Sequence, residues 1–190
     1  MKIRCLAAFA LAMVAFTSLA REPEKPSPPV AAVGSVGQQH QRLARLAGQW
    51  NVEQSLWLKP AEPPQVDAGI ATFTMVLGGR HLQQDLQVHS KTPFHGIGYT
   101  GFDNATGQYY TSWMDINFTG LLVLHGDYDQ GSDTYTFSGT MMEPGATGAG
   151  TPVRQVMHVL GDDHFVVDYF ETHHGKEARV VRIDYTRVQP

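Results

Sequence analysis

Short runs in which apolar and polar residues alternate recur along the chain from residue 50 to the C-terminus. In the run that begins at Thr134, the side chains of Tyr135 and Phe137 alternate with hydroxyl side chains. A period of two is the pattern of a β-strand with one buried face, and residues typical of turns separate the runs. The pattern predicts ten strands: Trp50–Leu58, Gly69–Leu77, His81–Ser90, His95–Phe102, Gln108–Ile116, Leu121–Tyr128, Thr134–Met142, Pro152–Leu160, Phe165–Thr172 and Glu177–Val188.

The connections between these strands are short, which predicts antiparallel pairing between sequence neighbours. Ten such strands leave two exposed edges unless the sheet closes on itself, and an up-and-down barrel removes both edges. We therefore predict an all-β fold, an antiparallel up-and-down β-barrel of about ten strands. A two-sheet sandwich is the alternative, although it usually needs longer crossing connections. Before the first strand, Leu43, Leu46 and Ala47 share one face of a short amphipathic helix that ends at Gly48.

The turns of such a barrel fall at two ends that differ in composition. Tight turns rich in Gly, Asn and Asp fall at one end, among them Gly78-Gly79 and residues 103–107. Residues 59–68 and 143–151 fall at the other end and form longer connections rich in proline or glycine. Barrels that hold small ligands commonly have one closed end and one looser mouth. We predict the mouth at the long-loop end, with Gly78 and Gly79 as structural turn residues at the closed end.

The first twenty residues have the organisation of a secretory signal peptide. Lys2 and Arg4 precede an apolar run, residues 6–16, and small residues lead to a cleavage site near Ala20. The apolar run is too short to span a bilayer, and a retained membrane anchor is the alternative. Cleavage predicts a periplasmic or secreted protein and removes Cys5, the single cysteine. A disulfide scaffold is therefore excluded for the mature chain.

Residues 21–37 contain four prolines and few large apolar side chains. We predict a flexible leader there, followed by a single barrel domain over residues 38–190. Without Lys2 and Arg4 the mature chain carries 12 basic and 18 acidic residues, a net charge of −6. A chain this acidic, with no basic stripe, is a poor partner for nucleic acids and for anionic membrane surfaces.

Gly48-Gln49-Trp50, at the start of the first predicted strand, resembles the Gly-x-Trp motif that opens lipocalin-type barrels. In those barrels the Trp packs at the closed end, under a basic residue of the last strand. The resemblance implies that Arg187, near the end of this chain, lies over Trp50 in a cation–π contact. Both residues would then be structural rather than ligand-binding.

A second resemblance covers nearly all of residues 40–187. The segments HQRLARLAGQW, VLGGRHLQQD, GIGYTGFDNATGQYYTSWMD, DDHFVVDYFET and RIDYTR are similar, in this order, to segments of a bacterial family known as domain of unknown function 1579. That resemblance implies a calycin-like barrel and brings no established activity. The chain departs from the family pattern at His81, where a large apolar residue is usual, and at His173-His174.

Trp113 and Asp115 are two residues apart in the segment TSWMD, so they share one face of a predicted strand. If that face points inward, an aromatic ring and a carboxylate line one wall of the barrel, as in many small-molecule sites. The alternative is that Trp113 belongs to the core and Asp115 caps the turn before Asn117. The candidates for ligand contact are Trp113, Asp115 and Gln84, joined by Tyr99 and His125 if the strand registers agree.

Four histidines, His89, His95, His173 and His174, fall near the predicted mouth. Clustered imidazoles could bind zinc or copper, or supply an axial ligand to haem, and barrels related to lipocalins include haem binders. Their spacing matches no metal-binding motif, and the mature chain has no cysteine to complete a site. We therefore interpret them as solvated loop residues, and the sequence implies no cofactor, with haem or zinc as the alternative.

These patterns leave three hypotheses for function. The first is an exported barrel that binds a small, mostly apolar molecule in its interior. The second is an enzyme of the same fold, with Asp115 or Glu171 as a general base. The third is a packed structural or interaction module of the cell envelope. The first is favoured over the second because the chain contains no Gly-x-Ser-x-Gly, phosphate-loop or His-Glu-x-x-His motif.

Overall fold

The computed structural model describes residues 30–59, 61–142, 148 and 150–189. The predicted signal peptide, the leader up to residue 29 and most of the predicted mouth loop 143–151 lie outside the described residues. The helices are α1 (Val30–Val33) and α2 (Gln38–Ala44). The strands are β1 (Gly48–Leu56), β2 (Gln65–Val76), β3 (His81–Val88), β4 (Phe94–Asp103), β5 (Gln108–Asp115), β6 (Phe118–Asp129), β7 (Thr134–Met141), β8 (Thr151–Gly161), β9 (His164–His173) and β10 (Lys176–Arg187). Neither of these two helices has the length and hydrophobicity needed to cross a membrane.

The ten strands form one closed barrel in which each strand pairs antiparallel with its sequence neighbours. β1 and β10 close the barrel, with Trp50 opposite Arg187 and Val52 opposite Tyr185. The predicted all-β class and the ten-stranded antiparallel up-and-down architecture are therefore confirmed, and the alternative sandwich is excluded.

Two strands begin earlier than their hydrophobic patterns predict. β2 begins at Gln65 rather than at Gly69, and β6 begins at Phe118 rather than at Leu121. In both cases the added residues lie at the mouth end, and in β2 they pair with the end of β1. Backbone pairing does not require that side chains alternate, so alternation alone does not reveal where a strand begins.

An aromatic cluster fills the closed end of the barrel. Trp50 and Phe165 are fully buried, and their rings meet edge to face with centroids 4.7 Å apart. Helix α2 buries Leu43 in the same core, with Leu46 just beyond its end. The helix ends at Ala44, three residues earlier than predicted, because the chain tightens there into i→i+3 turns.

Arg187 holds the end of α2 against the barrel. Its guanidinium lies 4.2 Å from the ring centroid of Trp50, in the cation–π geometry implied by the lipocalin resemblance. The same guanidinium donates hydrogen bonds to the backbone carbonyls of Arg45 (2.7 Å), Ala47 (2.8 Å) and Asp162 (2.8 Å). The last strand is thereby tied to the residues after α2 and to the turn between β8 and β9.

Residues 30–37 belong to the predicted leader, and there the chain forms α1 and packs on the outside of the barrel. The side-chain amide of Asn104 donates to the backbone carbonyls of Val33 (3.0 Å) and Ser35 (2.7 Å). Arg80 donates to the carbonyl of Gly34 at 2.6 Å. This segment therefore forms one wall of a surface pocket near the closed end.

Candidate ligand-binding site

The side chains that point into the barrel differ in exposure along its axis. Most of those near α2 are buried, whereas many nearer the mouth are partly exposed. Because the barrel is closed, an inward-pointing side chain gains its exposed surface from space inside the barrel or at its mouth. The registers and burial patterns place these partly exposed residues on the inner face: Gln54, Leu56, Gln84, Trp113, Leu122, Gln155, Val167, Tyr169, Glu171, Val181 and Ile183. The mouth half of the barrel therefore presents an accessible and mainly apolar lining.

Trp113 lies against β4, where two glycines leave room for its ring. A Cβ atom added to Gly98 would lie 2.9 Å from the ring, and one added to Gly96 would lie closer still. Phe94, on the same strand, is nearly parallel to the indole, with ring centroids 6.3 Å apart. The small residues of β4 therefore hold the indole on the inner wall of the barrel.

Asp115 uses both carboxylate oxygens within the protein. Nε1 of Trp113 donates to Oδ2 at 2.9 Å, and the backbone N–H of Asn117 donates to Oδ1 at 2.8 Å. The sequence left open whether Asp115 lines a site with Trp113 or caps the following turn. The structure combines the two arrangements, because the carboxylate caps the turn and also orients a partly exposed indole.

Gln84 lies on the inner face of β3 and reaches across to β10. Its Nε2 donates a hydrogen bond to the hydroxyl of Tyr185 at 2.8 Å. Burial raises the pKa of the Tyr185 hydroxyl, which therefore stays neutral at physiological pH. No described residue donates a hydrogen bond to the carbonyl oxygen of Gln84. One end of this amide thus remains available inside the barrel.

Tyr99 and His125 do not join the other three candidates. In the strand registers Tyr99 lies opposite Gln83, and His125 lies opposite Tyr110. These positions alternate with the inward-pointing residues, so both side chains lie on the outer face of the barrel. The expectation that these two residues line the interior is therefore wrong.

Two of the four histidines near the mouth, His95 and His173, each pair with a different carboxylate. Nε2 of His95 lies 3.1 Å from Oδ1 of Asp85 on the outer face, and Nε2 of His173 lies 2.8 Å from Oε2 of Glu171. The other two histidines lie in the loops that follow β3 and β9. Within the part of the chain that the structure describes, no three His, Cys, Asp or Glu side chains are arranged to hold a metal ion.

Comparison with known proteins gives a family and a fold. The family model described as a protein of unknown function, DUF1579, matches residues 35–187. The chain belongs to the DUF1579 family. The crystal structure of Rv2717c from M. tuberculosis is similar to this DUF1579 protein, with a TM-score of 0.61 and 16% identity, over 82% of this chain and 100% of that chain. At that identity the similarity extends to the fold alone. No curated protein matches the chain.

The DUF1579 barrel also carries a pocket on its outer face, near the closed end. The pocket has a volume of about 400 Å³, and His40, His81, Tyr110 and His125 contribute to its lining. His125, expected inside the barrel, therefore belongs to this outer feature. His81, where the chain departs from the family pattern, lies in the same lining.

Proposed function

We propose that this protein is an exported binding protein that holds one small, mostly apolar molecule in the mouth half of its barrel. The observation that carries the proposal is the exposure of inward-pointing side chains. Trp113, Leu122 and Tyr169 are partly exposed although they face the inside of a closed barrel. A fully packed module would bury these three side chains, whereas a small-molecule site combines such an apolar lining with a few polar groups.

The charges near this lining favour an uncharged ligand. Asp67, Asp115 and Glu171 place carboxylates on the inner face of the mouth half. Like charges repel more strongly away from bulk water, so a ligand anion would bind poorly there. Gln84 offers a neutral amide with one free end. We therefore expect a molecule with an apolar body and a single polar group near Gln84.

The interior carboxylates give less support to catalysis. Both oxygens of Asp115 already accept hydrogen bonds from the protein. Glu171 is paired with His173 at 2.8 Å. A general base needs a basic oxygen within hydrogen-bonding reach of the reacting proton. Binding therefore explains the interior better than a general-base mechanism does.

Export is the second part of the proposal, and residues 1–20 support it through their basic start, apolar run and small-residue end. Fractionation of the native cells followed by N-terminal sequencing tests this part directly. We expect a periplasmic or secreted chain that begins near Arg21. Recovery of a chain that retains residues 1–20 in the membrane fraction would contradict export.

Ligand binding can be tested with N-phenyl-1-naphthylamine, a neutral dye whose fluorescence rises in apolar surroundings. Adjacent residues of β6 offer a matched pair of variants, because Leu122 points inward and Val123 points outward. L122W would fill accessible space inside the barrel, and V123W would add the same ring to the outer surface. We expect the parent and V123W to bind the dye, and L122W to bind it at least about tenfold more weakly, a difference of about 1.4 kcal/mol.

Thermal melts of both variants establish that each has folded before binding is compared. Native mass spectrometry of the protein purified from its own periplasm then reports any co-purified molecule. A neutral apolar adduct that the dye displaces would identify the ligand class. Equal dye binding by folded L122W and V123W, or no binding by the parent, would overturn the proposal and favour the packed module.

A further inference from the structure

The outer pocket near the closed end is built from elements that are distant in the sequence. The outer faces of β3 to β6 form its floor, and the segment around Gly34 forms one wall. His40 of α2 forms part of another wall; it is 3% exposed and its Nδ1 accepts a hydrogen bond from the backbone N–H of Gly37 at 3.1 Å. Burial lowers the pKa of His40, so this imidazole is neutral and serves as a fixed wall.

Three polar side chains lie in one row across the floor of the pocket. The strand registers place His81 opposite Gly101, Gly101 opposite Tyr110, and Tyr110 opposite His125. A Cβ atom at Gly101 would collide with the phenol ring of Tyr110, so this glycine allows the ring to cross β4. The hydroxyl of Tyr110 then reaches Nδ1 of His81 in a short hydrogen bond.

This pair fixes which nitrogen of His81 is free. Burial raises the pKa of Tyr110, so its phenol stays protonated and can donate to Nδ1 of His81. With the phenol as donor, Nε2 is the N–H nitrogen of His81, and it holds no partner among the described residues. His125 is exposed and likewise forms no side-chain hydrogen bond with any described residue. Two imidazoles therefore remain available to a ligand.

The guanidinium of Arg80 lies in the lining of this pocket. Arg80 donates only to backbone carbonyls, those of Gly34 at 2.6 Å and Leu77 at 3.1 Å, and no described carboxylate lies within 4.0 Å of it. The one carboxylate in the described lining, that of Asp103, caps its own turn through the backbone N–H of Ala105 and the hydroxyl of Thr106. An unpaired guanidinium beside imidazole N–H donors attracts oxyanions.

We propose that this outer pocket is a binding site for a small organic oxyanion, a carboxylate or a phosphate monoester. His81 and Arg80 contact the anionic group, and the rest of the molecule lies along the floor between Tyr110 and His125. The volume of about 400 Å³ is within the range of small-molecule sites. The site is separate from the barrel interior, where carboxylates disfavour anions.

Calorimetric titration of the mature chain with benzoate, phenyl phosphate and the neutral analogue benzamide tests the proposal. We expect heat of binding from at least one of the two anions at millimolar concentration, weakened by added salt, and none from benzamide. H81F should weaken binding about tenfold, the loss expected for one hydrogen bond to a charged group. H89A, which removes an exposed imidazole near the mouth, is the matched control and should leave the affinity unchanged.

L122W separates this site from the barrel interior, because it should weaken dye binding without changing the affinity for the anion. Failure of the dye experiment alone would leave the outer site intact, and failure of the anion titration alone would leave the interior site intact. Absence of heat from both anions, equal binding of benzamide, or equal affinities of H81F and H89A would overturn the outer site.

Discussion

The hydroxyl of Tyr185 accepts a hydrogen bond from the side-chain amide of Gln84, 2.8 Å away and 101 residues distant in the sequence. Tyr185 is 1% exposed and stacks on Phe165 in the aromatic core, whereas Gln84 is partly exposed on the inner wall. The pair therefore joins the packed closed half of the barrel to its accessible half. It also gives the interior a polar group that is already held in position.

Substitution of Gln84 by leucine leaves the buried hydroxyl of Tyr185 without its partner. An unsatisfied buried hydroxyl costs about 1–3 kcal/mol, so we expect Q84L to lower the free energy of unfolding by about that amount. The double variant Q84L/Y185F removes both polar groups and should recover most of the loss. Urea unfolding of the parent, both single variants and the double variant measures the coupling. Q83L, on the outer face, is the control, and a loss in Q83L as large as in Q84L would show that the hydrogen bond contributes nothing.

Tyr135 has a buried hydroxyl that forms no hydrogen bond with the residues described. Its ring is fully buried against Tyr109 and Tyr128. Burial of a hydroxyl without a hydrogen-bond partner costs free energy, and Y135F removes that cost. We therefore expect Y135F to be more stable than the parent by about 1 kcal/mol at neutral pH. Y128F is the matched control, because that hydroxyl donates to Asp133 at 2.8 Å and its loss should destabilise the barrel. A Y135F variant as unstable as Y128F would show that the Tyr135 hydroxyl has a partner.

The same substitution should change the response to alkali. Burial raises the pKa of Tyr135 above its ordinary value, so the folded chain keeps this phenol neutral while the unfolded chain ionises it above about pH 10. The contribution of this phenol to the free energy of unfolding is fully present below about pH 10. Above that pH the contribution is lost, by about 1.4 kcal/mol per pH unit for one proton. We expect Y135F to lose stability less steeply than the parent above pH 10, as measured by urea unfolding at several alkaline pH values. Identical slopes would contradict the burial of this hydroxyl.

The alternation of apolar residues was sufficient to predict ten strands and their order, but it did not decide which face of β4 or β6 points inward. In the middle of β4 the inner positions are Gly96 and Gly98, so Ile97 and Tyr99 present the more apolar face there although they lie outside. The glycines are explained only by Trp113 of the next strand, whose ring occupies their space. A contact between a glycine and a ring on the next strand depends on the register of the two strands. The sequence of one strand alone does not give that register.

β6 is ambiguous for a different reason, since Leu122 and Leu124 face inward while Leu121 and Val123 face outward. Both faces are apolar, so the position of His125 could not be derived from its own strand. The outer pocket was missed for the same reason, because its residues come together only through the registers of four strands. By contrast, the motif of Trp50 was sufficient to predict its contact with Arg187.

The packing of Trp113 on glycine predicts a specific rescue. G96A places a methyl group in the space of the indole, and overpacking of this kind costs about 1–3 kcal/mol. In a W113V background the obstructing ring is absent, so the same substitution should cost much less. The difference between the two costs, measured by urea unfolding, gives the coupling energy. G131A is the control, because an added Cβ there meets its nearest atom, Oδ1 of Asp129, at an ordinary 3.5 Å. Equal costs of G96A in both backgrounds would exclude the proposed contact.

Replacement of Arg187 by lysine tests whether geometry or charge holds α2 to the barrel. Lysine keeps the positive charge over Trp50, but its single ammonium group cannot reproduce the planar fork that contacts three carbonyls. Each lost hydrogen bond contributes about 0.5–1.5 kcal/mol, so we expect R187K to lower the free energy of unfolding by about 2 kcal/mol. R182K is the matched control on the same strand, since Arg182 makes one long contact of 3.7 Å with Asp168.

Amide hydrogen exchange adds a local measurement: protection of the backbone around Leu46 should fall in R187K and stay unchanged in R182K. If R187K is as stable as R182K, the cation alone holds the helix and the carbonyl contacts are dispensable.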